Sequence, residues 1–341
     1  MAEEKRPTVA FLGPEGSYTH QATLDAFPPS STQVTLIPST TIEDVFSAVQ
    51  SGTATRGVVP FENSSNGSVV FTLDLFANLN NAYPDILVCG EAYVGVRHCL
   101  LGYESKSTCT TTSVQDGQEG RKTDLSHIKK LYSHPQAWGQ CKNFLATHFK
   151  TAERHDVSST SKAAEIASQD HTGESAALSS FLAADLFGLN VLARGINDVE
   201  GNSTRFFVLR NRWGGDGTTT TTTTTSSSTT TTPTNKQSPD NKLQTWKSLI
   251  TFTIEHTNPG ALANCLTVFS SHGINLTSIN TRPSGVGNWH YVFFVEFQGR
   301  KTEVGEGEGG DGGDVDQALK ELDKVCRGWR WLGSWENRLI E

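Results

Sequence analysis

None of the six cysteines, Cys89, Cys99, Cys109, Cys141, Cys265 and Cys326, belongs to a C-x-x-C pair. Neither a zinc ribbon nor a disulfide framework is therefore indicated, and the compartment reads as reducing. There is no surplus of positive charge: 28 Lys plus Arg face 36 Asp plus Glu, a net charge of -8. That balance disfavours binding to nucleic acid or anionic membranes through the chain as a whole, and an anionic substrate would need a local basic pocket. No apolar run approaches the ~20 residues of a spanning helix. The polar start, Met1 to Pro7, enters a strand without the apolar segment of a signal peptide, so the expected location is cytoplasmic. The loop Gly13 to Ser17 matches neither the Walker nor the G-x-G-x-x-G spacing, and the acidic, Gly-rich stretch 299–313 lacks the D-x-[DN]-x-[DN]-G order of a calcium loop. What remains is a chain long enough for two or three domains, each with its own core.

The first half alternates β-prone runs with helical spacing, and small polar residues gather where strand meets helix. Thr8 to Leu12 runs into Gly13-Pro14-Glu15-Gly16-Ser17, with Ser17 as the N-cap of a helix over Tyr18 to Phe27. Such a junction reads either as an anion site or as a tight turn without a ligand. Thr41 caps a second helix, Ile42 to Gln50. Gly57 to Phe61 then empties into Glu62-Asn63-Ser64-Ser65-Asn66-Gly67-Ser68, a set read first as a carboxylate-binding nest and second as turn chemistry. Glu62 is its ionisable group, an acid or base if buried and otherwise a cap or orienter.

Strand-like runs follow at Ile86 to Cys89 and Tyr93 to Leu101. Leu131 to Ser133 leads into His134-Pro135-Gln136, which opens a helix through Phe149, and His134 is weighted toward orienting the turn. Thr160 and Ser161 stand at another hydroxyl-rich helix start, and Ser175 to Phe187 reads as an Ala-rich helix closed by Gly188. The alternation predicts a mostly parallel sheet with ligands beyond the carboxyl ends of its strands. Gly201-Asn202-Ser203 turns into the buried run Phe206 to Leu209, presenting the Thr204 hydroxyl beside the Arg205 cation, which by themselves read as a turn hydroxyl and a surface cation or as a pair suited to a small acidic substrate.

Thr218 to Thr232 consists of Thr and Ser alone, and the stretch 212–247 reads as an extended, disordered linker. Beyond it, β-prone and helical patterns occur in the order βαββαβ, a small α+β domain interrupted by an insertion at 299–314.

Phe11 to Ser17, Val59 to Ser64 with Gly67 and Ser68, His134 to Ala137, Thr160-Ser161 with Ala163-Ala164, and Asn202 to Phe206 occur in the order of a known family. The chain resembles a prephenate dehydratase with a C-terminal ACT regulatory domain. The resemblance implies decarboxylative dehydration of prephenate to phenylpyruvate in phenylalanine biosynthesis, with no metal or organic cofactor. It also implies two α/β lobes around a cleft, similar to periplasmic binding proteins. The catalytic domain is expected over 7–211, with lobe one at about 8–80 and 190–210, lobe two at about 81–189, and the ACT domain over 248–338.

By this resemblance Thr204, Arg205 and Phe206 form the catalytic motif, and Thr204 needs a polarising partner because a plain hydroxyl is a poor general acid. Gly16, Ser17, Glu62, Asn63, Ser64, Gly67, Ser68, Gln136, Thr160, Ser161 and Asn202 are the expected substrate contacts. In the ACT part, Pro259, Gly260, Ala261 and Leu262, with Asn275 and Leu276, match segments that hold phenylalanine at a subunit interface in relatives. Relatives usually read Glu-Ser-Arg-Pro where this chain has Asn280, Thr281, Arg282 and Pro283, so the effector site departs from the pattern. L-phenylalanine is the expected effector and a homodimer or homotetramer the expected assembly. No chorismate mutase or dehydrogenase segment is recognised, so a monofunctional enzyme is expected. Arogenate dehydratase, a noncatalytic amino-acid sensor and an exported solute-binding protein are the competing readings.

Overall fold

A computed structural model describes residues 6–29, 33–105, 124–214, 246–302 and 313–339. Most of the predicted linker and of the Gly-rich insertion lies outside these residues. The chain begins with β1 (Thr8–Leu12), α1 (Tyr18–Ala26), β2 (Thr35–Ser39), α2 (Ile42–Gln50), β3 (Arg56–Asn63), β4 (Gly67–Ser68), α3 (Val70–Ala77) and β5 (Ile86–Gly95). It continues through β6 (Cys99–Gly102), β7 (Lys130–Ser133), α4 (Pro135–Gln140), α5 (Lys142–His148), β8 (Glu153–Asp156), α6 (Thr160–Ser168), β9 (Ser175–Ser179), α7 (Phe181–Phe187) and β10 (Asn190–Arg194) to β11 (Ser203–Asn211). Local chemistry sets several of these ends. α2, for example, starts at a complete capping box between Thr41 and Asp44 and buries Val45, Phe46 and Val49 on one face.

Two sheets result, one per lobe: β2-β1-β3-β11-β5 with β4 on β3, and β10-β6-β9-β7-β8. Both are mixed rather than mostly parallel. β11 runs antiparallel to β3 and β5, and β6 runs antiparallel to β9 and β10. The lobe boundaries also shift. β5 pairs with β11 in lobe one, and β10 pairs with β6 in lobe two, so the chain crosses between lobes at 96–98 and again at 195–202. A strand's apolar pattern reveals that it is a strand, whereas its partner is a long-range choice.

The expected Ala-rich helix over Ser175 to Phe187 is instead β9 followed by α7, with Ser180 capping the helix. Every residue of β9 is buried between β6 and β7. Hydrogen bonds on both edges override the helix propensity of alanine there. The helix opened by His134 is broken at Cys141 into α4 and α5.

The C-terminal domain is βαββαβ as expected: β12 (Trp246–Thr253), α8 (Ala261–Ser271), β13 (Leu276–Pro283), β14 (Tyr291–Gln298), α9 (Asp314–Val325) and β15 (Gly328–Glu336), with sheet order β13-β14-β12-β15. Trp246 and Lys247, predicted as linker, belong to β12. Strand alternation splits the sheet's apolar side chains between two cores. Ile250, Phe252, Phe293 and Val295 pack with Phe269 and Leu322 of the helices. Leu249, Phe294, Leu332 and Trp335 join one core with Phe61, Phe76, Val88 and Phe207 of lobe one. At Gly333 (φ +132°) the backbones come so close that a Cβ would collide with the Val88 carbonyl. Arg330 donates to the carbonyls of Tyr83, Pro84 and Ile86 at 2.7, 3.2 and 3.3 Å. Among the described residues no helix is long and apolar enough to cross a membrane.

Candidate active site

Between the lobes lies a cleft of about 1260 Å³, walled by residues of the β1–α1 turn, by Asn63 and Asn66 to Val69, and by Thr204 on one side and by residues of α4, α6 and α7 on the other. β11 reaches its edge as an alternating strand. Thr204 and Phe206 line the cleft, while Phe207 and Leu209 belong to the core shared with the C-terminal domain. Arg205 follows the same alternation and points away from the cleft.

Thr204 is held by Asn63, its register partner on β3. The Asn63 amide oxygen accepts from the backbone N–H of Ser65 and Asn66, both at 3.0 Å, which fixes its orientation. Its Nδ2 therefore faces β11, donating to Thr204 Oγ1 at 3.0 Å, Asn202 Oδ1 at 2.8 Å and the Ser203 carbonyl at 3.1 Å. A hydroxyl oxygen that already accepts a hydrogen bond has its proton directed elsewhere and polarised, here at a cleft-lining position. Ser64 and Asn202 do not line the cleft. Ser64 accepts from the Ser203 N–H at 3.0 Å, and the buried Asn202 accepts from Asn63, so both brace Thr204 from beneath.

Of the expected substrate contacts, Ser17, Asn63, Gly67, Ser68, Gln136 and Thr160 line the cleft. Gly16, Glu62, Ser64, Ser161 and Asn202 do not. The glycine turn is not an open anion nest. The Gly16 N–H is taken by His20 Nδ1 at 3.0 Å, and Ser17 Oγ accepts from the His20 N–H at 3.2 Å. Ser161 Oγ donates to the Glu15 carbonyl, and Ser180 Oγ donates to that of Gly16 at 2.9 Å. These two hydroxyls of lobe two clamp lobe one. A Cβ at Gly16 (φ +78°) would lie 2.8 Å from Ser161 Oγ. The cation missing from the cleft through the turn of Arg205 is supplied by Lys162, the one Lys or Arg among the described lining residues, which pairs with Glu165 at 2.9 Å.

A second link across the lobes runs through His98, 2% exposed at the first crossing. Its Nδ1 meets Tyr18 Oη of α1 at 3.1 Å and its Nε2 meets Gln140 Oε1 of α4 at 2.7 Å. An amide oxygen only accepts, so Nε2 carries the proton and Nδ1 accepts from tyrosine. Burial lowers the His98 pKa, which the bond to Gln140 opposes in part, and burial raises that of Tyr18; both favour the neutral pair. His134 accepts from the Gln136 N–H at 3.3 Å, the turn-orienting role expected of it.

Sequence reasoning missed Tyr18, His98, Gln140, Lys162 and Glu165. Gln140 follows Gln136 by four residues and Glu165 follows Ser161 by four, so helical spacing from an expected contact could have found these two. His98 carries no local signal, because its role arises from the crossing between lobes.

In the C-terminal domain the expected effector residues are not gathered by one chain. Pro259, Gly260, Ala261 and Leu262 open α8, whereas Asn275 and Leu276 lie beyond its other end, roughly 16 Å away along an 11-residue helix. Asn280 accepts from Ser68 Oγ at 2.6 Å, and Arg282 pairs with Asp74 of α3. Thr281 and Pro283 are exposed on β13.

Fold and site together define a two-lobed α/β cleft protein joined to a small α+β module. The family description prephenate dehydratase matches residues 9–213, and ACT domain matches residues 249–303. The bifunctional chorismate mutase/prephenate dehydratase of Aquifex aeolicus is 35% identical over all of this chain and 76% of its own length. A probable prephenate dehydratase of Saccharomyces cerevisiae is 31% identical over 86% of this chain and 88% of its own length. The structure of a prephenate dehydratase from Arthrobacter aurescens in complex with L-Phe superposes with a TM-score of 0.70 at 28% identity, covering 97% of this chain and 90% of that one. The chain belongs to the prephenate dehydratase family.

Proposed function

We propose that this chain converts prephenate to phenylpyruvate, carbon dioxide and water, with L-phenylalanine acting through the ACT domain. The observation that carries the reading is the Thr204 hydroxyl, held from behind by Asn63 at 3.0 Å and lining a cleft between two lobes. In the reaction the bond from the ring to its carboxylate breaks, and its electron pair enters the ring. The ring C–O bond breaks with it, and the departing hydroxyl takes up one proton to leave as water. Aromatisation supplies the driving force, so the protein needs to orient the dianion and stabilise the leaving group.

Thr204 donates to the departing hydroxyl, with Asn63 balancing the charge that develops on its oxygen. Lys162, Thr160 and Gln136 of lobe two face a substrate carboxylate, and the hydroxyl clamp of Ser161 and Ser180 keeps the lobes closed around it. A phenylalanine site that uses both Gly260 and Asn275 requires a second copy of the chain, which supports a homodimer or homotetramer.

The test is phenylpyruvate formation from purified protein given prephenate or arogenate side by side, with and without phenylalanine. Turnover of prephenate suppressed by phenylalanine is expected. Thr204→Val should lose about 10² to 10³ in kcat and Thr204→Ser far less. A Thr204→Val enzyme with wild-type kcat would remove that hydroxyl from the mechanism.

A further inference from the structure

Arg205 stands next to the catalytic hydroxyl, yet its side chain is 8% exposed on the far side of the sheet. Its guanidinium meets Glu91 of β5 at 2.7 Å and Glu296 of β14 at 2.5 Å. The two carboxylates are 0% and 2% exposed. Lys247 of β12 completes the cluster, 3.5 Å from Glu91 and 3.8 Å from Glu296. Two cations and two anions thus close a neutral set across the domain interface, two of them from the ACT sheet. Aromatic rings enclose it, with the Phe207, Phe61, Tyr93 and Trp335 centroids 4.9 to 5.9 Å from the guanidinium carbon. Burial by itself would raise the Glu91 carboxyl, but Arg205, the Arg338 N–H and Lys247 hold it below the usual range.

Resting on the reading of the cleft as the prephenate site, we propose that Arg205 is a positioning residue rather than a substrate ligand. Together with Glu91, Glu296 and Lys247 it ties the placement of Thr204 to the position of the ACT sheet. Adjacent residues of one strand share a backbone, so fixing the guanidinium behind β11 fixes where the preceding side chain meets the cleft. Such ion clusters are poor sources of stability but discriminate between geometries, because a displaced partner leaves a buried charge unpaired. The same ACT sheet touches the cleft wall again, where Asn280 accepts from the lining residue Ser68 at 2.6 Å. A shift of that sheet on effector binding therefore reaches the catalytic strand and β4 of the same cleft wall together.

Glu296→Gln tests this without altering the cleft wall, of which Glu296 is no part. Its kcat for prephenate is expected to fall by about tenfold or more through misplacement of Thr204, with KM unchanged. Inhibition by phenylalanine should weaken while calorimetry still detects phenylalanine binding. Should that variant fail to fold, Thr277→Val decides. It removes one hydrogen bond from an exposed residue to Glu296 Oε1, 2.7 Å long, and should lower kcat about threefold with the same loss of inhibition.

Arg205→Lys should likewise lower kcat at constant KM. A rise in KM at constant kcat in Arg205→Lys, with Glu296→Gln and Thr277→Val both like wild type, would overturn the proposal and restore Arg205 as a carboxylate ligand. Thr204→Val, run in parallel, separates the two readings. If Thr204→Val is inactive while Glu296→Gln and Thr277→Val behave as wild type, only the positioning role is lost. A wild-type protein that does not turn over prephenate removes the functional reading itself.

Discussion

Asn63→Ala isolates the polarisation of Thr204 from the supply of the hydroxyl. The substitution deletes a donor 3.0 Å from Thr204 Oγ1 while Thr204 and its strand remain. One preorganised donor in a cleft contributes about 10² to 10³ in kcat, or about 2.7–4 kcal/mol. The same substitution leaves the oxygen of Asn202, 7% exposed, with the long bond from Ser64 Oγ at 3.5 Å, at a cost of about 1–3 kcal/mol in stability. For a domain of this size that lowers Tm by about 2–12 °C, leaving the protein folded at assay temperature. The Ser65 and Asn66 N–H groups are on exposed residues and find water instead. Steady-state phenylpyruvate formation at saturating prephenate, measured beside a thermal melt, should show kcat down by two orders of magnitude and KM changed much less. Asn63→Asp, isosteric but with an oxygen in place of the donor, should reproduce the kinetic loss. Wild-type kcat in either variant, whatever the Tm, would refute the polarising role and leave Asn63 as a turn residue.

Gly16→Ala should raise KM and lower kcat together, because the added Cβ meets Ser161 Oγ at 2.8 Å and Leu186 Cδ2 at 3.2 Å where the lobes join, in a backbone conformation unfavourable to alanine by about 1 kcal/mol; unchanged kinetics would show that the clamp opens freely. His98 has a lowered folded-state pKa, so its contribution to stability is complete above the unfolded value near 6.5 and is lost as pH falls toward the folded one. Melts from pH 7.5 to 5 should therefore show a steeper loss of Tm in wild type than in His98→Gln, and parallel curves would exclude His98 as the source. Arg330→Met removes charged donors to the Tyr83, Pro84 and Ile86 carbonyls and should cost about 1.5–3 kcal/mol, read as a lower Tm with the ACT domain released first in hydrogen exchange.

Much of the scaffold is legible because local chemistry writes it. The capping box at Thr41, the hydroxyl cap at Ser17, and the βαββαβ order of the ACT domain all follow from short-range hydrogen bonding and apolar period. The motif around Thr204 and Asn63 is likewise written in residues whose chemistry suits the site. Where Arg205 points is also implicit in strand alternation, but which of the two faces opens on the cleft is not, since that depends on whether β11 pairs with β3 and β5. Lobe membership of β5 and β10, the strand at Ser175–Ser179, the Ser161 and Ser180 clamp and the His98 bridge share that character. Each is a contact between segments far apart in the chain, selected by the packing of the whole rather than by any local preference. The sequence by itself therefore determined the elements, their ends and the chemical groups available, because those are set within a few residues. Only the tertiary structure decided that Arg205 serves the domain interface and Lys162 the cleft, because a charge is placed by the low-dielectric surroundings that the fold creates around it.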